Sequence, residues 1–259
     1  MNATTMNALS EYDSNDGLSQ LVPRRAFSFQ GIWSRMIVAR MLKGLLKSQT
    51  TLGFRRSLLA LLDEARLMRV HRAGLRRARS VPLPCKLHLG CGHNVKAGWV
   101  NVDLNESADI RLDMREPLPF PDSSATSIYS EHFFEHLSYE EGTRLLRESL
   151  RVLTPGGLIS IGVPDAESML WVYVADDRDG WLAGRQWHPA WCTTPMHSVN
   201  YFFRQDGQHR YAYDFTTLAG ALRDSGFVNI RRRNWDARLD LESRRDGTLY
   251  VDAEKPGCG

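Results

Sequence analysis

The sequence contains 259 residues, of which 42% are hydrophobic and 24% charged, and its net charge is +3. The composition is that of an ordinary globular protein, and the length suits one catalytic domain with a buried core plus a shorter extension. A small disulfide-stapled scaffold is excluded, and no run approaches the roughly 18 consecutive apolar residues of a membrane-spanning helix.

The four cysteines, Cys85, Cys91, Cys192 and Cys258, show no Cys-x-x-Cys spacing. Because a disulfide at Cys91 would block a glycine turn, we expect reduced thiols and a cytoplasmic protein. The first 20 residues carry three acids and no base, which argues against a secretory signal and against an acid-poor transit peptide.

Residues 1–22 are polar without periodicity, which predicts disorder. Residues 23–80 are predicted to form a basic helical extension, since they hold fourteen Lys or Arg against two acids. In residues 31–47 the apolar side chains recur at helical spacing, with basic residues between them. This amphipathic helix could pack on the domain, which is the default, contact an anionic membrane surface, or bind RNA. Trp33, with Leu and Ile opposite the charges, favours peripheral membrane contact over nucleic acid.

A second helical pattern begins near Leu58, runs to Arg79 and is stopped by Pro82 and Pro84. The catalytic domain is predicted to begin there and to cover residues 81–259. In this part short apolar runs alternate with helical patterns, which is typical of an α/β protein with a mainly parallel sheet.

Strands are predicted at residues 86–89, 99–103, 109–113, 125–130, 158–163, 227–233 and 247–253. Helices are predicted at residues 139–153 and 215–225, with Asp214 as N-cap of the second. Residues 165–212 have no clear period and are rich in tryptophan, which indicates an inserted cap over a site. No internal repeat is present.

A glycine turn ends the first predicted strand at Gly90 and Gly92. In an open parallel sheet the ligand lies beyond the carboxyl ends of the strands, where glycine lets the backbone approach it closely. A dinucleotide site would need a third glycine at the position of Val95 and an acid about twenty residues after the first glycine. Asp103 follows Gly90 by only thirteen residues, which disfavours a nicotinamide site.

Five segments resemble successive motifs of class I S-adenosylmethionine-dependent methyltransferases, in the family's order. They are Leu87-His-Leu-Gly-Cys-Gly92, Trp99-Val-Asn-Val-Asp103, Leu118-Pro-Phe-Pro-Asp122, Glu131-His-Phe-Phe-Glu-His136 and Arg151-Val-Leu-Thr-Pro-Gly-Gly157. The segment His209-Arg-Tyr-Ala-Tyr-Asp214 resembles the end of the domain in relatives that modify small molecules or saccharides.

The resemblance implies a Rossmann-like three-layer α/β sandwich around a seven-stranded, mostly parallel sheet with its last strand antiparallel. It implies S-adenosylmethionine as cofactor. Asp103 would accept hydrogen bonds from both ribose hydroxyls, Asp113 would bond the adenine amino group, and Glu131 would lie near the methionine end. The other cofactor residues that it implies are Gly90, Cys91, Gly92, Leu104 and Met114. Two features depart from the family: His88 stands where an acid is usual, and the link from Gly92 to Asp103 is too short for a full helix.

A hydroxyl acceptor needs a general base near neutral pKa, and histidines supply one. His132 follows the fourth predicted strand and is expected to face the transferred methyl group. His136, His209 and Tyr213 are the further catalytic candidates, with His197 as another histidine. His136 has a helix-capping or packing role as an equal alternative, and His209 and Tyr213 could serve only to tie the last helix to the sheet.

The predicted function is methyl transfer to a small-molecule hydroxyl, on a saccharide or a metabolite. An RNA or protein acceptor is the next alternative, and a cofactor-binding scaffold without turnover is the non-enzyme alternative. Residues 132–136 also match the His-x-x-Glu-His pattern of inverted zinc peptidases, with both imidazoles on one helical face. Because five-residue patterns recur easily and methyltransferase motifs surround this one, we predict no metal. Neither the acceptor nor the oligomeric state follows from the sequence.

Overall fold

The computed structural model describes residues 50–185 and 188–257. The chain divides into two compact units, residues 1–59 and 60–259. Helix α1 (Leu52–Ala78) begins in the first unit, where the Thr51 hydroxyl accepts a hydrogen bond from the Phe54 amide. The predicted disorder of residues 1–22 and the predicted helix at 31–47 lie outside the described residues.

Seven strands form one sheet in the order β3-β2-β1-β4-β5-β7-β6. They are Cys85–Leu89 (β1), Val100–Asp103 (β2), Ile110–Arg111 (β3), Ala125–Glu131 (β4), Leu153–Pro164 (β5), Val228–Arg233 (β6) and Thr248–Glu254 (β7). Strands β1 to β5 pair in parallel, and β7 lies antiparallel between β5 and β6. The predicted α/β class and its antiparallel last strand are confirmed. The strand order reverses between β1 and β4, so the ligand crevice of such a sheet lies beyond their carboxyl ends.

One face of the sheet is apolar and carries the core. Leu87, Ile128, Ile159 and Ala253 lie side by side across four neighbouring strands, and all four are buried. They share a core with buried leucines of helix α2 (Tyr139–Val152) and helix α6 (Phe215–Asp224). Both helices were predicted, and both are capped: Ser138 and Glu141 form a capping box, and Asp214 accepts from the Thr217 amide.

The opposite face of the sheet carries a polar row, His88, Tyr129, Ser160 and Asp252. The whole stretch from β1 to β4 is described and forms turns instead of helices between its strands. Over Tyr129 lie Trp99, with ring centroids 6.2 Å apart, and the Lys96 ammonium, 4.6 Å from the ring centroid. Residues 234–247, which connect β6 to β7, also cover the polar row, and we call them the cover segment.

Buried charges attach the cover segment to the polar row. The Tyr129 hydroxyl donates to Asp240 Oδ1 at 3.1 Å, and Arg233 Nη2 donates to the same oxygen at 2.6 Å. Arg233 Nε also donates to Ser160 Oγ at 2.9 Å and to Asp252 Oδ1 at 3.2 Å. Because each charge has a charged partner and further hydrogen bonds, this network is satisfied although it is buried.

The second half of α1 packs beside β3, within the unit of residues 60–259. A Cβ atom on Gly74 would lie 2.1 Å from the backbone oxygen of Arg111, so this helix approaches the strand too closely for any side chain at that position. Nearer the start of the same helix, Glu64 pairs with Arg115 at 3.2 Å. The helix therefore reaches the carboxyl end of β3, where a cofactor residue is predicted.

The described residues of the cap at 165–212 contain three short α-helices, although the sequence of the cap shows no clear period. They are α3 (Ala166–Val174), α4 (Arg178–Arg185) and α5 (Pro195–Arg204), and they contact one another. Strand β5 also begins five residues before its predicted start, because residues 154–157 lie within it as a bulge opposite β4. No helix of the described residues is long and apolar enough to cross a membrane.

Candidate active site

The glycine turn follows β1 directly. Gly90 has φ +71°, and a Cβ atom there would lie 2.3 Å from Cγ of Phe133, so the turn and the segment after β4 are in close contact. Gly92 has φ +52°, with no atom within 4 Å of its Cβ position. The turn has a backbone conformation that glycine adopts most easily, and the space above it is open. Both features suit close approach of a ligand to the backbone.

Asp103, the last residue of β2, holds this turn in place. Its Oδ2 accepts a hydrogen bond from the Gly92 amide at 2.9 Å, and its Oδ1 accepts from the Asn105 amide at 2.7 Å. An ionised carboxylate has about four acceptor positions, so two stay available for a diol. The link from Gly92 to Asp103 is thus short and contains no helix, and the hydrogen bond from the Gly92 amide to the Asp103 carboxylate connects the turn directly to β2.

Cys91 and His88 are both buried next to the turn, and neither is charged. Burial raises the pKa of the Cys91 thiol to about 12, with Asp103 and Asp109 adding to the effect. Burial lowers the pKa of His88 to about 4, and its Nδ1 lies 3.1 Å from Asn101 Oδ1. His88 therefore ties β1 to β2 as a neutral imidazole, and Cys91 is an inert thiol.

The predicted adenine residues lie beyond β3, in contact with α1. Two guanidinium nitrogens of Arg115 bind the Asp113 carboxylate, at 2.9 Å from Nε to Oδ1 and at 2.8 Å from Nη2 to Oδ2. Burial alone would raise the Asp113 pKa, but Arg115 outweighs it and the pKa is lowered. Met114 is buried in the core, whereas Leu104 is 41% exposed beside Asp103. Of these side chains, Leu104 offers open apolar surface to a ligand.

Glu131 ends β4, and its side chain reaches the cover segment. The Tyr250 hydroxyl donates to its Oε1 at 3.0 Å, the Leu241 amide donates to the same oxygen at 3.3 Å, and Arg244 lies 3.4 Å from Oε2. Gly162 lies between Glu131 and Tyr250 in the sheet, and a Cβ there would lie 2.9 Å from the tyrosine ring. Glu131 thus holds the cover segment over the carboxyl ends of the strands.

Three histidines surround one buried carboxylate, and we call His132, Glu135, His136 and His209 the histidine cluster. Glu135 Oε1 lies 3.6 Å from His132 Nδ1 and 3.8 Å from His136 Nε2. The rings of His136 and His209 have centroids 5.1 Å apart. The cluster adjoins the glycine turn, because Phe133, between its members, is the residue that contacts Gly90.

Burial fixes the protonation of the cluster. It lowers the pKa of His132 to about 3, and it also lowers the pKa values of His136 and His209. It raises the pKa of Glu135 to about 8. The three imidazoles are therefore neutral at pH 7 and have lone pairs available, but the pKa of His132 lies below the near-neutral value expected of a general base.

His132 and His136 were expected on one helical face, and this expectation is wrong. Only Phe134–His136 is helical, as a single 3₁₀ turn, and His132 precedes it with φ +54°. Glu135 was not among the predicted site residues, although the His-x-x-Glu-His pattern contains it. Tyr213 lies in the core, where its hydroxyl would be 2.9 Å from a Cβ on Gly142.

A pocket of about 330 Å³ opens at the carboxyl ends of β5 and β6. Polar side chains dominate its lining, which comprises Asp165, Arg232, Arg233, Asn234, Thr248, Leu249 and Tyr250. Its volume falls within the range of small-molecule sites. The Thr248 hydroxyl lies 2.9 Å from His132 Nε2, so the pocket wall is in direct contact with the histidine cluster.

Residues 87–161 match the family described as a methyltransferase domain. With the strand order above and the glycine turn after β1, this match identifies a class I S-adenosylmethionine-dependent methyltransferase domain. The chain is therefore an enzyme of methyl transfer with S-adenosylmethionine as its cofactor. None of the curated proteins matches the sequence.

Solved methyltransferase structures resemble the chain at low identity. A Mesorhizobium loti S-adenosylmethionine-dependent methyltransferase is 20% identical, with a TM-score of 0.42 over 70% of this chain and 96% of its own. An Archaeoglobus fulgidus enzyme is 17% identical, with a TM-score of 0.43 over 75% and 93%. A Haemonchus contortus phosphoethanolamine N-methyltransferase, complexed with S-adenosylhomocysteine, is 15% identical, with a TM-score of 0.42 over 71% and 52%. Similarities at this level say nothing about the acceptor.

Proposed function

We propose that this enzyme transfers the methyl group to a hydroxyl of a small polar acceptor, a saccharide or a metabolite. One observation carries the proposal: the polar pocket, the histidine cluster and the glycine turn form a continuous path. Thr248 in the pocket wall contacts His132, and the neighbouring Phe133 packs on Gly90. An acceptor in the pocket therefore lies on the same side of the sheet as the turn that would hold the methyl donor.

In this proposal the chain orients the two reactants and removes one proton. Bound S-adenosylmethionine would supply the methyl group: the acceptor oxygen would bond to the methyl carbon in line, and S-adenosylhomocysteine would leave as the carbon–sulfur bond breaks. The acceptor proton passes to the Thr248 hydroxyl, which gives its own proton to Nε2 of the neutral His132. Asp165, Arg232 and Asn234 in the pocket lining offer hydrogen bonds to the other hydroxyls of the acceptor.

The proposal is tested by assaying radiolabelled methyl transfer to a panel of hydroxyl-bearing saccharides and metabolites, with RNA and protein fractions in parallel. We expect label in the small-molecule fraction, as an ether. Label found only in RNA or protein would contradict the proposed acceptor class. Cofactor binding without transfer to any member would favour the scaffold alternative.

Replacing Asp103 by Ala is expected to weaken binding of S-adenosylhomocysteine by about 1–3 kcal/mol, or roughly 5- to 150-fold. Two causes act together: the ribose hydroxyls lose a charged acceptor, and the Gly92 amide loses the bond that fixes the turn. Calorimetric titration of both proteins measures the difference. Equal affinities would remove Asp103 from the cofactor site.

Replacing His132 by Asn is expected to lower kcat by about 10²- to 10⁴-fold, with S-adenosylhomocysteine affinity unchanged within roughly twofold. Asn is chosen because it tolerates the positive φ of this position better than most residues. Steady-state kinetics and calorimetry together separate turnover from cofactor binding. An unaltered kcat would exclude His132 from proton transfer.

A further inference from the structure

We propose that Glu135, His136 and His209 form a binding site for a transition-metal ion of the zinc class. Each of the three residues offers one donor atom, and the donor atoms all lie within 4.8 Å of one another. Two residues are neighbours in the 3₁₀ turn after β4, and the third comes from the segment between α5 and α6. We call these three residues the metal triad.

The Glu135 carboxylate lacks the partners that a buried acid needs. The residue is 2% exposed, and neither carboxylate oxygen has a hydrogen-bond partner among the described residues. The nearest nitrogens with a possible charge belong to His132 and His136, at 3.6 and 3.8 Å, which exceeds hydrogen-bond distance. Because an isolated buried carboxylate is costly, a cation among the triad would supply the missing partner.

The two triad imidazoles are oriented as metal ligands usually are. His136 Nδ1 lies 3.1 Å from the Gln208 carbonyl oxygen, and His209 Nδ1 lies 2.6 Å from the Phe202 carbonyl oxygen. A carbonyl oxygen only accepts, so both Nδ1 atoms carry the proton and both Nε2 atoms keep their lone pair. Metal-bound histidines show this arrangement, in which an outer hydrogen bond fixes the tautomer and the ring orientation.

A cavity beside the triad has the size of a single ion. Its volume is about 10 Å³, and its lining combines Glu135 and His209 with Pro164, Phe202, Phe203, Tyr211 and Ala212. The apolar members come from the end of β5, from α5 and from the segment between α5 and α6. A dry apolar shell around two imidazoles and one carboxylate strengthens the attraction between the ligands and a cation.

The donor set decides the class of metal. Two imidazoles with one carboxylate suit zinc and iron(II), whereas magnesium and calcium prefer oxygen ligands alone. A set of three protein ligands also leaves coordination positions open, as catalytic zinc sites do. If the proposed function holds, an acceptor oxygen in an open position would lose its proton more easily, next to His132.

The test uses the full-length protein after chelator treatment and dialysis. Titration with Zn²⁺ in a calorimeter is expected to give one tight site per chain, and Co²⁺ is expected to give visible absorption bands at the same stoichiometry. Mg²⁺ is expected to displace neither Zn²⁺ nor Co²⁺ from the site. Metal binding is measured without acceptor or methyl donor, so its outcome is independent of the proposed reaction.

Glu135→Gln and His209→Ala are each expected to weaken Zn²⁺ binding by about 100-fold or more. His197→Ala is the matched control, because His197 is exposed on α5, and its Zn²⁺ affinity is expected to equal that of the unmodified protein. Thermal melting with and without Zn²⁺ gives a second readout. Zn²⁺ is expected to raise the Tm of the unmodified protein and of His197→Ala, and to leave Glu135→Gln unchanged.

The proposal is overturned if the unmodified protein binds neither Zn²⁺ nor Co²⁺, or if Glu135→Gln and His209→Ala bind them as tightly as it does. Loss of the site in His197→Ala would place the metal elsewhere and would overturn it equally. A variant that fails to fold is identified by its melting curve, and the other triad variant then decides.

Discussion

Replacing Gly90 by Ala is expected to abolish measurable binding of S-adenosylhomocysteine and to destabilise the fold. The new Cβ would lie 2.3 Å from Cγ and 2.4 Å from Cβ of Phe133, well inside van der Waals contact. The clash involves the Cβ of Phe133, so rotation of the ring cannot relieve it. Either the glycine turn or the segment carrying the histidine cluster must move.

Two costs add at this position. A non-glycine residue at φ +71° costs about 1–2 kcal/mol, and insertion of a methyl group into a packed contact costs about 1–3 kcal/mol more. Gly98→Ala is the matched control, because Gly98 has φ +76° but no atom within 4 Å of its Cβ position. It therefore carries the backbone cost alone. Calorimetry and urea denaturation of both variants measure the difference, and equal behaviour of the two would refute the contact with Phe133.

Most of the sheet could be predicted from the sequence, because its signals are local. The apolar runs of β1, β4 and β7 are buried in the same sheet. Each run predicts a strand by itself, without knowledge of the strands with which it pairs. The glycine turn and Asp103 were identified by resemblance, and their mutual hydrogen bond explains why the connection between them needs no helix. The fold class followed from the same local patterns.

The cap helices escaped prediction because they are short, with 9, 8 and 10 residues. Their start signals were nevertheless present: Asp165 accepts from the amides of Glu167 and Ser168, and Thr194 caps a helix whose first residue is Pro195. The capping residues would therefore have indicated these helices better than hydrophobic periodicity does.

The three histidines of the histidine cluster were predicted as catalytic candidates, but their grouping around Glu135 was not, because one of them is distant in sequence. His132, Glu135 and His136 are neighbours in the chain, but His209 lies 73 residues after His136 and reaches it only through the folded cap. A five-residue pattern alone is weak, and the unpartnered burial of Glu135 is visible only in three dimensions. The same reasoning applies to Asp240 and Arg233, which the sequence presents as ordinary surface charges.

Replacing Asp240 by Ala is expected to destabilise the protein by about 3–5 kcal/mol, the usual cost of removing one partner of a buried ion pair. The Asp240 side chain is fully buried, and its removal leaves the Arg233 guanidinium and the Tyr129 hydroxyl without the acceptor that both share. The cover segment would lose its main attachment to the polar row, and with it the Leu241 amide that contacts Glu131. Urea denaturation measures the loss of stability.

Arg238→Ala separates this effect from a general weakening of the cover segment. Arg238 belongs to the same segment and pairs with Asp236 at 2.8 Å, but its side chain is 89% exposed, so water and salt screen the pair. We expect no resolvable change in its denaturation midpoint. A midpoint for Asp240→Ala as high as that of Arg238→Ala would mean that Arg233 finds sufficient compensation in Asp252, at 3.2 Å, and that Asp240 does not hold the segment in place.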